Sequence, residues 1–255
     1  MDMKLFEIYR QELISRIHAK HPDEGLFETS IPSLSFYHAT EPTEFLITVY
    51  EPSLCVIVQG AKAVGLSDDL FMYDPDTYLL SSFHMPARVR IAEASKEQAY
   101  LSLKLTFTME QIFDVLKEIE MSPVKPYSKS DHGLYFGEMN QELLEPIVRL
   151  VRLLDTPKNI PVLSPLIIKE ILYLIMNDEG GDFIRRYIME GSATQRVVKV
   201  ITKIKDGFAE KLDIPALAKS VSMSESSLYH NFKKITAMSP LQFQKTLRLN
   251  EARHR

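Results

Sequence analysis

The sequence has a single cysteine, Cys55, so it cannot form a disulfide within the chain, and nothing in its composition calls for an oxidising compartment. It lacks a long unbroken hydrophobic run. The most apolar stretch, 162–176, is interrupted by Lys169 and Glu170 and reads as too short to span a bilayer. The first ten residues scatter charge among apolar side chains and leave no room for the apolar region of a secretory signal. Low-complexity tracts are absent. No Gly-x-Ser-x-Gly, Walker or dinucleotide fingerprint occurs, which removes sequence support for nucleophilic or phosphate-cradling chemistry and for a cofactor. These absences predict a cytoplasmic protein with no membrane partner and no catalytic centre.

What is present is unevenly charged. Residues 193–255 hold 12 Lys plus Arg against 5 Asp plus Glu, a net of +7, while the residues before them hold 18 against 29, a net of −11. A basic tail on an acidic body predicts that the tail meets a polyanion and the body does not. A solvated, lysine-rich helical face would carry the same charge, so the asymmetry alone leaves both readings open.

Along the chain, Leu5, Tyr9, Leu13 and Ile17 recur at helical spacing and predict an amphipathic first helix that His21-Pro22 ends. From Thr29 to about Leu105 the texture changes. Runs rich in β-branched and aromatic residues, at 45–50, 54–59, 78–83, 89–92 and 100–106, alternate with Pro, Gly, Asp and Ser. Short strands at that spacing predict an all-β sandwich or barrel. Helices are expected over 109–119, 140–154 and 164–177, with a loop holding Pro123, Pro126 and Gly133 between the first two. In the last of these, Leu166, Ile167, Ile171, Leu174 and Ile175 form an apolar stripe wide enough for a core or subunit contact. The run Glu179-Gly180-Gly181-Asp182 reads as a break, and a domain boundary is expected between it and Ser192.

The last sixty-odd residues are the most informative. A helix over 196–208 faces Val197, Val198, Ile201, Ile204 and Phe208 inward. Asp213 is a helix N-cap, with Pro215 in the first turn where a missing N–H costs little. Leu217, Ala218 and Val221 form the buried side of the short helix that follows. Ser222-Met223-Ser224 makes a turn, and Ser224 caps a third helix over 225–235. Ser239-Pro240 starts a fourth. A short helix, a tight turn and a second helix make a helix-turn-helix unit. With Leu228, Phe232 and Ile235 turned to the core, Glu225, Ser226, Tyr229, His230 and Lys233 are left on the outer face, from which major-groove contacts come.

These residues carry a resemblance. Leu217-Ala218, Met223-Ser224, Leu228, Phe232-Lys233, Met238-Ser239-Pro240, Phe243, Arg248-Leu249 and Glu251-Ala252-Arg253 resemble the first helix-turn-helix of the AraC/XylS-type transcriptional regulators. Earlier, Thr29-Ser30-Ile31-Pro32, 50–56, Gln59-Gly60, Lys62, Tyr78-Leu79 and Ala94-Ser95 resemble the N-terminal domain of one subgroup of that family. The resemblance implies an α+β protein: a cupin-like jelly roll with flanking helices over 1–185 that binds an effector and dimerises, then an all-helical DNA-binding domain over 193–255. Family members usually carry two helix-turn-helix units joined by a long helix, and this chain ends inside what would be that helix, so a longer natural protein is expected. Ser222 and Ala237 stand where the family usually has glycine, and a side chain in a left-handed turn costs about 1 kcal/mol.

By the same resemblance, Ser226, Tyr229 and His230 are the expected readers of base edges, with Glu225 beside them. Lys233, Lys234 and the amides near Ser224 would hold phosphates of double-stranded DNA. A homodimer through the helices of 140–177 would match paired half-sites, and RNA polymerase is a further partner. In the β domain, Tyr50, Phe83, His84 and Arg88 are candidates to orient a small-molecule effector, with a filled barrel as the alternative. The rival function is a metal-dependent or small-molecule-binding cupin enzyme. Cupin metal sites need a close His-x-His pair with a later Glu and His, and none of His18, His21, His38, His84 and His132 supplies that pair in the strand region, so no metal is expected.

Overall fold

Helix α1 (Met3–Lys20) buries Leu13 and Ile17 completely against a β sheet and against helix α3 (Gln141–Arg152). In this computed structural model residues 3–66, 69–81, 83–119, 133–188 and 193–254 are described. Glu12 of α1 clamps the two helices together: it accepts from Arg16 at 2.7 Å and from Arg152 at 2.6 Å, and these bonds, Arg152 foremost, hold its carboxyl down at about 2.

Ten strands follow: β1 (Gly25–Glu28), β2 (Leu34–Ala39), β3 (Leu46–Tyr50), β4 (Ser53–Gln59), β5 (Ala61–Leu66), β6 (Asp69–Tyr73), β7 (Thr77–Ser81), β8 (Met85–Glu93), β9 (Tyr100–Thr106) and β10 (Leu134–Glu138). Helix α2 (Met109–Leu116) lies before β10, its first turn closed by a reciprocal capping box between Thr108 and Gln111. One sheet has the order β1-β2-β9-β4-β7-β10 and the other β3-β8-β5-β6, and every pairing is antiparallel. The pairs β2–β9, β3–β8, β4–β7 and β5–β6 nest inside one another and fall alternately in the two sheets, which is the pairing of a jelly roll. Gly60, at φ 81, makes the corner from β4 to β5. A side chain there would strike the Glu93 carbonyl, which gives the Gln59-Gly60 pair its physical reason.

The expected strands map onto β3, β4, β7, β8 and β9. Strands β1, β2, β5, β6 and β10 are additional. The stretch of β5 is rich in small residues and β6 alternates without β-branched side chains, so neither stands out locally. The expected loop residues Pro123 and Pro126, together with His132, lie outside the described residues, as does Ser192.

Two expectations are corrected. Helix α4 runs over Ile160–Asn177, starting earlier than expected, and with the short 3₁₀ turn before it the segment Pro157–Asn177 is long and apolar enough to cross a membrane by length and composition. It packs as a core helix, with Ile160, Ile167, Ile168, Ile171, Leu172, Ile175 and Met176 buried and Arg149 of α3 bonded to its Glu170 at 2.6 Å. Residues 179–182 are not a break but the start of helix α5 (Glu179–Ile188). A side chain at Gly181 would collide with the Met176 carbonyl, and one at Gly180 would crowd Ile175 and the Tyr78 hydroxyl. These glycines serve close packing, not flexibility.

The remaining helices are α6 (Ala193–Asp206), α7 (Ile214–Ser220), α8 (Glu225–Thr236) and α9 (Pro240–His254). The chain is therefore α+β: antiparallel sheets first, helices after.

Candidate nucleic-acid interface and effector cleft

The four last helices fold around Val197, Val200, Ile201, Ile204, Leu228, Phe232 and Phe243, each at most 1% exposed. Phe232 and Phe243 meet edge to face at 5.4 Å. Val198 and Phe208, expected inside, are half-buried, and Val200 takes the inner position instead. The caps form as the local sequence dictates. Asp213 accepts from the Ala216 amide at 2.9 Å, Ser224 from Ser227 at 3.2 Å, and Ser239 from Gln242 at 3.3 Å. Ser222 and Ala237 are the non-glycine residues with positive φ among those described, at 54° and 58°. Both turns thus keep the left-handed shape that glycine would adopt without cost.

Sequence reasoning did not assign roles to the side chains that hold these helices together. Arg248 of α9 donates to the carbonyls of Phe208 and Glu210 at 2.6 and 2.7 Å, and Gln244 donates to Glu210 at 2.8 Å. Arg196 donates to the Ser222 carbonyl in the turn at 3.2 Å. Arg248 already stood in the matched motif, so the signal was present without its reason.

On α8, Ser226, Tyr229, His230 and Lys233 follow one another at i, i+3, i+4 and i+7, and all are exposed. Leu228, Phe232 and Ile235 are buried behind them. Ser224 and Glu225 stand exposed at the helix N-terminus, while Lys233 and Lys234 occupy its last turn, where cations complement the helix dipole. All seven residues of the expected nucleic-acid face are exposed, Ser226, Tyr229, His230 and Lys233 along one side of α8 and the others at its two ends.

In the jelly roll, strand parity separates two faces of the larger sheet. Leu34, Phe36, Leu54, Val56, Leu103 and Leu105 turn toward the helices and are at most 2% exposed. The opposite face looks across to the second sheet. It carries Ser35, Tyr37, Tyr100, Lys104 and Cys55, and the second sheet answers with Tyr50, Lys62, Phe71 and Tyr73. Several of these residues, among them Tyr37, Lys62, Phe71 and Lys104, are half-buried, while Tyr50, Tyr73 and Tyr100 are buried.

The four expected effector residues divide. Tyr50 points into the cleft, with Lys62 Nζ 5.8 Å from its ring centre. Phe83 is buried beside Gly133 and Met85. His84 sits at the rim, where Lys205 Nζ of α6 donates to its Nε2 at 2.6 Å. Burial, and then the Lys205 charge, push His84 down to about 4. Arg88 is not brought to Tyr50. It pairs with Ile47 and Gly65 on the alternate parity of β8, and so projects outward over the Phe45 ring at 5.9 Å. Lys62, Tyr73 and Tyr100, which line the cleft, were not expected there; Lys62 stood in the matched motif without a role. Burial raises the Tyr50, Tyr73 and Tyr100 hydroxyls and lowers the Lys62 ammonium from their ordinary values. Among the described residues no three His, Cys, Asp or Glu side chains converge as metal ligands.

A search of curated proteins returns no match. Among solved structures, ToxT from Vibrio cholerae with an unsaturated fatty acid bound is similar at 10% identity and TM-score 0.39, over 84% of this chain and 94% of that one. ToxT bound to (E)-4-(8-methylnaphthalen-1-yl)but-3-enoic acid is similar at 12% identity and TM-score 0.35, over 84% and 98%. The AraC-like transcriptional activator CuxR gives 11% identity and TM-score 0.33, over 86% and 77%. A family model described as the AraC-type transcriptional regulator N-terminus matches residues 30–183, that is, the jelly roll from its second strand on and the helices through the start of α5. The chain belongs to the AraC-type transcriptional regulators.

Proposed function

We propose that this protein is a cytoplasmic, sequence-specific DNA-binding regulator whose cupin-like jelly roll, residues 1–185, binds a small effector and whose helical part, residues 193–255, reads double-stranded DNA. The observation that carries the reading is the exposed face of α8, with Ser226, Tyr229, His230 and Lys233 on one side and a closed apolar core behind. Ser226, Tyr229 and His230 contact base edges. Lys233, Lys234 and the amides capped by Ser224 hold phosphates, which fixes register without reading sequence. The reading assigns the chain no catalytic step.

The effector acts by favouring one arrangement of the two parts over another, and only to the extent that it binds those arrangements with different affinity. Dimerisation supplies the symmetry for paired half-sites. Its support is the outer ridge of α4, where Val162, Leu166 and Tyr173 stay exposed at 67%, 60% and 47%. RNA polymerase is the further partner that a regulator bound beside a promoter would meet.

Binding to a random-sequence duplex library, repeated against salt, tests the reading. Selection of a motif, with log affinity falling against log salt by about 0.9 per phosphate contacted, is the expected result. Binding no better than that of the isolated jelly-roll sequence would remove it. Sedimentation at tens of micromolar, expected to give a dimer, tests the α4 contact independently.

A further inference from the structure

Where α1 ends, three histidines meet at one corner of the jelly roll, and they are held in different ways. His38 of β2 lies on the helix-facing side of the larger sheet, two residues on from Phe36, and is 2% exposed. Its Nδ1 stands 2.9 Å from the Asp23 carbonyl. A carbonyl only accepts, so Nδ1 carries the proton and Nε2 of the neutral ring is a bare lone pair. That Nε2 is enclosed and has no hydrogen-bond partner among the described residues. Buried polar atoms in native proteins are nearly always paired, so a lone pair fixed in this way marks a place for an electron-pair acceptor.

His18, two residues before the end of α1, supplies the other half of the site. Its ring centre is 5.5 Å from that of His38, with the two planes at 75°. Two imidazoles bound to one zinc ion at about 2.0–2.1 Å and a tetrahedral angle have ring centres about 5.2 Å apart. The pair therefore already stands at the separation of two ligands of one ion. His38 is held by the sheet and by the Asp23 carbonyl, the kind of contact that fixes a ligating imidazole. His18 is exposed, so its ring can turn to present a nitrogen and admits an ion from solvent. His21 is committed elsewhere, stacked on Phe27 at 4.5 Å and 5.5 Å from Phe36. The Glu24 carboxylate is near enough for its charge to interact with His38, and its Oε1 accepts from the Thr40 amide at 2.9 Å.

We propose that His18 and His38 together bind one divalent transition ion of the zinc, nickel and copper class. Imidazole suits these ions, whereas magnesium and calcium take oxygen ligands. Because no three ligating side chains converge here among the described residues, water fills the remaining positions, and Glu24 beside the site offsets the charge. The site lies between α1 and the sheet, on the opposite side of that sheet from the space between the two sheets. An ion there ties α1, which Glu12 already clamps to α3, to β2 as well.

The test uses the full chain without a histidine tag, cleared of metal by a chelator and labelled with ¹⁵N at histidine. Imidazole nitrogens are followed by long-range ¹H–¹⁵N correlation, assigned with His18→Ala and His38→Gln, while Zn²⁺ binding is measured by calorimetry. Zinc binds at one equivalent and shifts His38 Nε2 and one nitrogen of His18 together. The thermal midpoint rises by a few degrees once zinc exceeds its dissociation constant about 100-fold. His18→Ala weakens zinc binding at least about tenfold, His21→Ala leaves it unchanged, and Mg²⁺ moves neither ring. A His38 Nε2 that zinc does not move at about 1 mM, where even millimolar affinity would register, overturns the proposal. So does zinc affinity that survives His18→Ala, zinc affinity lost with His21→Ala, or an equal response to Mg²⁺. Because His18 is exposed, its variant decides the matter even where His38→Gln does not fold.

Discussion

The jelly roll and the C-terminal helices solve opposite problems with the same materials. The helical part closes a small apolar core and puts its polar residues outward on α8, where a large partner can reach all of them at once. The jelly roll seals one face of its larger sheet against helices and turns the other toward the second sheet, from which Tyr50, Lys62 and Tyr73 face it. Charge follows the same division, +7 on residues 193–255 and −11 before them. A surface that reads a polyanion gains from an exposed basic face. A surface that senses a small molecule gains from partial enclosure, because desolvation strengthens each polar contact. The two parts meet at the Lys205–His84 bond, and α9 packs against β3 and β8.

The largest effect that would break this comparison is loss of the helical core. Phe232→Ala removes a fully buried ring with an aromatic partner and should cost about 3–5 kcal/mol. Denaturant unfolding followed by helix signal should then show residues 193–255 melting before the jelly roll, and a single coincident transition would mean the two parts are one cooperative unit.

Acid should act next, and on the junction. The folded value of His84 is about 4, below its ordinary 6.5, so the unfolded chain binds more protons between those values. The contribution is complete above about pH 6.5 and is lost as pH falls toward 4. The full shift corresponds to at most about 3 kcal/mol, reduced by partial solvent screening. An imidazolium also cannot accept from Lys205. Hydrogen exchange in α6 should speed up across that window in the native protein and not in His84→Gln; an identical pH profile in both would rule out the junction as its origin.

The proposed DNA face gives the next effect. Tyr229→Ala should erode discrimination between cognate and scrambled duplex by about 1–3 kcal/mol, while Lys233→Ala should weaken both alike and lower the log–log salt slope by about 0.9. Equal loss of specific and non-specific affinity in the Tyr229 variant would reassign that side chain. The smallest expected change is stabilising. Ser222→Gly and Ala237→Gly should each relieve up to about 1 kcal/mol of left-handed strain, offset partly by the entropy of glycine, and thermal midpoints measure it.

Much of the helical part was readable residue by residue. Asp213, Ser224 and Ser239 cap the helices they precede, and Ser222 and Ala237 take up the positive φ that their positions demand. The jelly roll was readable only as a class. Five of its strands were recognisable, but Arg88 was grouped with Tyr50 although they stand on opposite sides of the second sheet, and Lys62, Tyr73 and Tyr100 were not grouped at all. The pair Gly180-Gly181 looked like a hinge because glycine is ambiguous between freedom and close approach; the neighbouring Met176 carbonyl decides for close approach.

The sequence by itself determined the α+β order, the caps, the buried and exposed sides of α8 and the two strained turns, because those depend on interactions reaching no further than four residues along the chain. Tertiary structure alone decided which strands nest, which side chains face one another between the sheets and where α6 meets the jelly roll. Those depend on partners far apart in sequence, such as Ser35 with Lys104 or Tyr50 with Met85, and a shift of register by one residue would have turned each of them to the other face.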